Sequence, residues 1–233
     1  MSDGSDRHIV AAALHLVITA VLLPLGPTHA PPFQIHCVVG FVTAVSHTIQ
    51  SFWLTRTELV LPWRIRWSEY AVTAPLMSVA SYITAGGSTF YIIILIMVTG
   101  SLTQAFGVHL EQGKNIWRSL VLGGGLQAVG TSFILYETFK NDADAALIAA
   151  SILYGMSFAT FPFFAATAAR KFLSPNQVDT IYVALSVTSK ISFLCLAAVF
   201  EYDVKLWQIA LLSVPTLAAC ALLVSISLGL WFK

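Results

Sequence analysis

The sequence predicts an all-α membrane protein, and three observations lead to this fold class. Hydrophobic residues make up 57% of the chain and charged residues only 10%, whereas a soluble domain carries about 25% charged residues. Apolar runs of about twenty residues, the length that crosses a bilayer, recur along the whole chain, and short polar breaks separate them. The net charge of +1 gives no indication of nucleic-acid binding, and we expect no enzymatic activity.

Eight runs reach spanning length, and we expect them to form a single transmembrane domain over residues 1–233. We find no small-residue cleavage site of signal-peptide type, so the first helix is expected to be retained. Turn-forming segments mark most of the later boundaries: PLGPTHAPP after the first helix, then AGGST, EQGKN, KNDAD, SPNQ and EYDVK. The predicted helices are 8–26, 33–55, 61–85, 88–110, 115–138, 144–170, 176–200 and 206–231.

The positions of the cations predict the orientation of this bundle. With the N-terminus in the cytoplasm, nine Lys and Arg residues fall in inside segments and only Lys140 and Lys205 fall in outside loops. Cytoplasmic loops are the ones enriched in Lys and Arg. An even number of helices then places both termini on the cytoplasmic side. The inside cations are Arg7, Arg56, Arg64, Arg66, Lys114, Arg118, Arg170, Lys171 and Lys233.

Lys190 lies in the middle of the apolar run 181–200, which contains no acidic residue. An unpaired ammonium at the centre of a membrane helix costs about 2.5–3.5 kcal/mol on insertion scales, so the amine requires compensation. A carboxylate on a neighbouring helix could pair with it. Alternatively, the amine could form a Schiff base with an aldehyde, and the charge of that imine would need one counterion.

Glu69 is the best candidate to face Lys190, because most other carboxylates lie at helix ends. It lies one to two turns inside the third helix, at a depth similar to that of Lys190. The alternative is that Glu69 lies at the membrane interface and pairs with Arg66, one turn earlier on the same helix.

Two further polar residues, His15 and His47, lie well inside the first and second helices. Neither has a companion at metal-ligand spacing, and we expect no metal site. A lone histidine in a membrane helix is often a hydrogen-bonded packing residue, but a histidine near Lys190 could also hold or pass a proton. The three cysteines lie in apolar runs and are interpreted as packing residues.

Further residues lie on the same helix faces as Lys190 and Glu69. Ser186 lies four residues before Lys190 and shares its helix face, while Thr73 and Met77 continue the face of Glu69. The sixth helix carries an aromatic cluster around Pro162, which is expected to kink the helix. This cluster is either a packing stripe or a wall against an elongated polyene. Its members are Tyr154, Phe158, Phe161, Phe163 and Phe164.

Four segments resemble the heliorhodopsins, a family of microbial-type retinal proteins. YVALSVTSK is similar to the family's lysine motif, with Ser186 where other microbial rhodopsins usually carry Asp, and RWSEY is similar to its counterion motif. LHLV and SHTI place His15 and His47 where the family keeps two pocket histidines. The inside N-terminus agrees with the family as well. The predicted helix 206–231 departs from its seven-helix pattern.

The resemblance implies a seven-helix rhodopsin-like bundle with all-trans retinal bound covalently to Lys190 as a protonated Schiff base. It implies Glu69 as the counterion, with Ser186 nearby and a proton network of His15, His47 and Arg66. Light would isomerise the retinal to the 13-cis form in a slow cycle. A homodimer and an unidentified cytoplasmic signalling partner are further expectations. The residues proposed for the polyene wall are Tyr70, Thr73, Met77, Met97, Gly100, Phe161 and Phe164.

Three functions remain open at this stage. Light sensing is favoured, because Ser186 and Ala80 leave the chain without a second carboxylate for an efficient proton pump. The first alternative is a light-gated passive proton channel or transporter, with a relay through His15, His47, Glu69 and an outer acid such as Glu137 or Glu201. The second alternative is a retinal-free membrane transporter or scaffold, in which Lys190 and Glu69 form a structural ion pair.

Overall fold

A computed structural model describes residues 3–22, 31–57, 63–141, 148, 151–152, 155, 161–162, 164–167, 169–170 and 173–202. The first five helices are α1 (Asp3–Leu22), α2 (Pro31–Thr57), α3 (Trp63–Thr84), α4 (Phe90–Glu111) and α5 (Ile116–Lys140). The sixth, α6, is represented by helical positions 148, 151–152, 155, 161–162, 164–167 and 169, and α7 is Pro175–Tyr202. The all-helical prediction is confirmed for this part of the chain.

The described helix bounds differ from the predicted ones mainly in α1, which begins at Asp3 rather than at residue 8. The earlier start adds more than one turn to the helix and brings Arg7 and His8 into its second turn. The predicted helix 206–231 lies outside the described residues.

The helices form a bundle in which sequence neighbours pack against each other. Each helix from α1 to α4 contacts the next one, and α7 contacts both α1 and α2. The first turn of α1 lies beside the end of α2, where the Ser5 and Ser51 hydroxyls are 3.1 Å apart, so these helices run antiparallel. Through these contacts α7, which carries Lys190, lies beside the helices that carry the predicted pocket histidines.

Two tight turns connect α3 to α4 and α4 to α5. Gly86 has φ +92° and Gly113 has φ +68°, values that favour glycine because it has no Cβ to clash with the backbone. Asn115, directly before α5, has φ +47°, and asparagine is one of the few other residues that adopts this conformation readily. These turns match the AGGST and EQGKN breaks of the sequence.

Pro75 lies inside α3, where its ring removes the backbone hydrogen bond to the carbonyl of Ala71. The Ser101 hydroxyl of α4 donates to that carbonyl at 3.1 Å. A Cβ added at Gly100 would lie 3.1 Å from the Pro75 ring, so this glycine allows α4 to approach closely. A broken helix ladder in a membrane must be satisfied by a neighbour, and α4 supplies that neighbour.

The outer surface of the described bundle is apolar. Three helical segments are long and apolar enough to cross a membrane: Gln34–Leu54, Phe90–Glu111 and Ile116–Lys140. Large side chains such as Tyr91, Trp117 and Val121 are exposed on it. Contiguous exposed apolar surface of this extent disfavours a water-soluble monomer, and lipid is the environment that suits it.

Candidate functional site

The structure brings Lys190 of α7 and Glu69 of α3 into direct contact in the interior of the bundle. The Lys190 ammonium donates to Glu69 Oε1, and both side chains are nearly inaccessible, at 6% and 3% of their full exposure. The ion pairs of Arg66 involve Glu111 and Asp179 instead. This arrangement disfavours the alternative in which Glu69 pairs with Arg66 at the interface.

Two threonines complete the surroundings of this pair. Thr43 of α2 accepts a hydrogen bond from Lys190 Nζ at 3.0 Å and donates one to Glu69 Oε1 at 3.1 Å. Thr73, one turn after Glu69, lies 3.4 Å from the same oxygen. Buried charges require such hydrogen bonds to offset their loss of water. The Tyr70 ring, 4.9 Å from the Lys190 nitrogen, adds a cation–π contact.

A cavity of about 340 Å³ is lined in part by Lys190. This volume is in the range of about 300–1,000 Å³ that is typical of small-molecule sites. Its walls come from α3, α4, α5, α6 and α7, and most of its lining is apolar or aromatic. Lining residues include Trp67, Tyr70, Gln104, Phe106, Gly107, Leu110, Ser119, Gly123, Gln127, Phe161, Pro162, Ser189 and Lys190.

Three of the residues proposed for the polyene wall line this cavity: Tyr70, Thr73 and Phe161. The remaining four, Met77, Met97, Gly100 and Phe164, are not among its lining residues. Met77 and Met97 belong instead to a packed cluster closer to the α3–α4 turn.

The direction of the Lys190 side chain explains why the cavity does not reach Met77, Met97 and Gly100. Helical side chains point back toward the N-terminus of their helix. The amine therefore lies nearer the first turns of α7 than its Cα does, and the cavity lies toward the end of α4, at Gln104 and Gly107.

Four groups from α1, α2 and α7 form a unit that we call the histidine cluster: His8, His15, His47 and Asp179. The rings of His15 and His47 stack with centroids 5.9 Å apart. His8 Nδ1 lies 2.9 Å from His47 Nδ1, and His8 Nε2 lies 3.0 Å from Asp179 Oδ2. All four residues are buried. Among the described residues, no group of three or more His, Cys, Asp or Glu is arranged to hold a metal ion.

Arg66 links this cluster to α4. Its Nη2 lies 4.0 Å from Asp179 Oδ1 and 3.6 Å from Glu111 Oε1, and its guanidinium lies over the Tyr182 ring at 4.2 Å. The Trp67 indole N–H also donates to Glu111. The arginine thereby ties together three helices at the end of the bundle where α1 begins.

Ser186 is buried beside the Tyr70 hydroxyl, and the Tyr70 hydroxyl lies 3.4 Å from the Tyr182 carbonyl. Sequence reasoning did not find Thr43, His8, Gln104 or Gln127. The spacing of His8 and His15, seven residues and hence two helical turns, was the available signal for a shared helix face.

Comparison with solved structures shows which fold this geometry belongs to. No protein-family profile and no curated protein matches the sequence. The structure resembles the proton pumping rhodopsin AR2 from the marine alga Acetabularia acetabulum, with a TM-score of 0.74, 14% identity, and coverage of 88% of this chain and 96% of that one.

Two further solved structures give the same result. A light-driven proton pump from Leptosphaeria maculans matches with a TM-score of 0.70, 15% identity, and coverage of 87% and 96%. A thermophilic rhodopsin matches with a TM-score of 0.65, 15% identity, and coverage of 88% and 95%. The TM-scores show that the chain shares its fold with these proteins, and at identities this low they show the fold alone. The chain has the fold of the microbial rhodopsins.

Proposed function

We propose that this chain is a light-sensing retinal protein of the heliorhodopsin type, with a slow photocycle and without efficient proton pumping. The observation that carries the proposal is the buried Lys190–Glu69 pair, whose lysine lines a cavity of about 340 Å³. A reactive amine, a single carboxylate in contact with it and an adjoining apolar cavity are the three parts that a covalent aldehyde chromophore requires.

All-trans retinal fits the residues that are present. It is an elongated apolar aldehyde, and the cavity offers Trp67, Phe106 and Phe161 along its walls, with Lys190 among its lining residues. Bound as an imine on Lys190, retinal would supply visible absorption and light-driven isomerisation. Tyr70, Thr73 and Phe161 are the predicted wall residues that contact this space.

The residues around the amine define what the protein itself does. Glu69 provides the negative charge that favours a proton on the Lys190 nitrogen. Thr43 fixes the positions of the Lys190 nitrogen and the Glu69 carboxylate relative to each other, because it accepts a hydrogen bond from the nitrogen and donates one to the carboxylate. Burial of the pair excludes water, which would otherwise weaken their attraction and hydrolyse an imine.

Light sensing is favoured over pumping by the distribution of carboxylates. Two of the matched structures are described as proton pumps, and a pump of this kind needs a proton acceptor and a proton donor on opposite sides of the lysine. In this chain Ser186 precedes Lys190 by one turn, and position 80, about three turns after Glu69, is a buried alanine.

The proposal includes the sidedness deduced from the cations. The chain is a multi-pass membrane protein with both termini in the cytoplasm, the histidine cluster in the cytoplasmic half, and the helix 206–231 as its final span. A homodimer and a cytoplasmic signalling partner belong to the same proposal.

Colour and current test the proposal together. Membranes containing the chain should develop a visible absorption band when all-trans retinal is added, and voltage-clamped cells should show no sustained photocurrent at zero potential. A large current that persists against a proton gradient would establish a pump and exclude the sensor.

A passive light-gated proton pathway is the second candidate, and the histidine cluster is the observation that favours it. The described buried groups extend from Lys190 toward the start of α1. Photocurrents that reverse with the proton gradient and disappear in Glu69→Gln would support this function. A retinal-free scaffold or transporter, in which the ion pair is only structural, predicts a colourless protein.

A further inference from the structure

His8 extends the polar interior beyond the two histidines that lie near Lys190. It is almost completely buried in α1, between His47 of α2 and Asp179 of α7. Its two ring nitrogens therefore contact two different helices. An imidazole held by a carboxylate on one nitrogen and by a second imidazole on the other has the geometry of a proton relay.

The hydrogen bonds assign the tautomer of each ring. Asp179 is an acceptor as a carboxylate, so His8 carries its hydrogen on Nε2 and leaves Nδ1 as a lone pair. The contact between the two Nδ1 atoms then requires that His47 carries its hydrogen on Nδ1. His47 Nε2 becomes a lone pair, and this buried nitrogen has no hydrogen-bond partner among the described residues.

The free lone pair of His47 belongs to a ring close to Lys190. Thr43, which contacts the Lys190 nitrogen at 3.0 Å, precedes His47 by one helical turn and shares its face of α2. His47 Nε2 is thus an unpaired basic nitrogen on the helix face of Thr43, which contacts the lysine nitrogen.

We propose that His8, oriented by Asp179, is the terminal proton acceptor of this protein and receives the proton of the Lys190 nitrogen through His47. The proposal rests on the proposed function, since the proton is released only when the lysine carries its chromophore. It assigns to His8 a role in proton storage, and to Asp179 a positioning role.

The proton balance of the step is complete within the protein. The N–H bond at Lys190 breaks, and a new N–H bond forms at His47 Nε2. His47 releases its Nδ1 proton to His8 Nδ1, so that His47 ends neutral and His8 ends as an imidazolium. Glu69 keeps its negative charge, the lysine nitrogen becomes neutral, and no proton leaves the bundle.

The charges around His8 limit how long it holds the proton. Asp179 faces it directly, Arg7 and Arg66 each lie 4.0 Å from the Asp179 carboxylate, and Glu111 pairs with Arg66. These two cations and two anions balance, and His15 and His47 are neutral in the assigned network. A protonated His8 adds one positive charge whose counterpart, Glu69, lies farther away. The separated charges favour return of the proton to Lys190.

The tautomers can be measured without retinal. Solid-state ¹⁵N NMR of the histidine-labelled full chain, before retinal is added, should show His8 protonated at Nε2 and His47 protonated at Nδ1. In Asp179→Asn the His8 signal should shift, because an amide can donate as well as accept. His109 lies exposed on α4, and His109→Gln is the matched control that should leave both signals unchanged. A His8 ring protonated at Nδ1 in the wild type would overturn the proposal.

The transfer itself is tested on the coloured protein by flash spectroscopy with infrared detection. Light should produce the imidazolium bands of His8, and His8→Gln should remove them. A positioned proton acceptor contributes about 10²–10⁴-fold to a rate, so His8→Gln should slow formation of the blue-shifted deprotonated state by about a hundredfold or more. A coloured His8→Gln variant with unchanged kinetics would refute the relay alone, whereas a colourless wild type would refute the proposed function.

Discussion

The two halves of the bundle on either side of Lys190 differ sharply in chemistry. The half where α1 begins holds the histidine cluster, with Arg66 and Glu111 beside it. The half near the α3–α4 turn holds the apolar cluster, built from Val39, Met77, Val79, Tyr82, Ala85, Ile96 and Ile134. Serines in this second half bond locally: Ser78 and Ser81 donate to backbone carbonyls of their own helix.

This difference between the two halves indicates the direction in which a proton can move from Lys190. A proton needs successive polar groups, and on the described side chains these lie from Lys190 toward His8. The apolar cluster contains one hydroxyl, that of Tyr82, and no carboxylate or imidazole. The histidine cluster offers a proton three imidazoles and a carboxylate in successive contact, whereas the buried His36 and Glu137 of the other half do not belong to the apolar cluster.

Removing the lysine at the boundary between the halves should have the largest effect. Lys190→Ala eliminates the only amine in contact with the cavity among its lining residues, and the retinal-dependent visible band should be absent. Absorption spectra after addition of retinal measure this. Lys140→Ala, which removes an exposed lysine paired with Glu137, should keep the full band.

Neutralising the carboxylate on the boundary should have the next largest effect. Glu69→Gln removes the negative charge beside the Lys190 nitrogen, so the proton on an imine there is less stable near neutral pH. We expect either loss of the visible band or, where the proton stays, a shift to the red. The matched change Glu137→Gln, at the end of α5, should leave the band in place. An unchanged spectrum in Glu69→Gln would assign the counterion to another residue.

A cavity in the apolar cluster should affect stability without affecting proton chemistry. Met77→Ala removes a fully buried side chain, and large-to-small changes of this kind cost about 2–5 kcal/mol. Thermal loss of the visible band should occur at lower temperature than in the wild type. The rates of deprotonation and reprotonation should stay close to the wild-type rates, and a large change in them would mean that the apolar cluster takes part in proton transfer.

The smallest effect is expected from Thr43→Val, which keeps the shape of the side chain but removes its hydroxyl. Hydrogen bonds to charged groups contribute about 1.5–3 kcal/mol, and Thr43 contacts both members of the ion pair. The band should remain with a modest shift in wavelength, and the thermal midpoint should fall. Thr138→Val, in the last turn of α5, removes a hydroxyl that bonds to the Ile134 carbonyl and should leave the wavelength unchanged.

Much of the fold and the central pair could be predicted from sequence for one physical reason. Charged groups are costly in the middle of apolar runs, so Lys190 and Glu69 had few alternatives to each other. The helix bounds followed from run length and turn residues in the same way. The heliorhodopsin motifs then pointed to the same two residues.

The rest of the site depends on geometry that a sequence does not contain. The side chain of Lys190 leans toward the start of α7, and this moved the cavity to Gln104 and Gly107 rather than Met97 and Gly100. His8 was missed because it is the first residue of the predicted helix 8–26, a position where a polar side chain is ordinary. Its role became visible only when α1 was found to begin at Asp3, which places His8 beside Asp179 of a helix far away in sequence.

The most direct test of the central claim is chemical location of the chromophore. The retinal-treated protein is reduced with borohydride, which converts an imine into a stable amine, and is then digested for mass spectrometry. We predict one retinyl group on the peptide that contains Lys190 and none on peptides that contain other lysines. Retinyl on a different lysine, or an unmodified Lys190 in a coloured sample, would contradict the account.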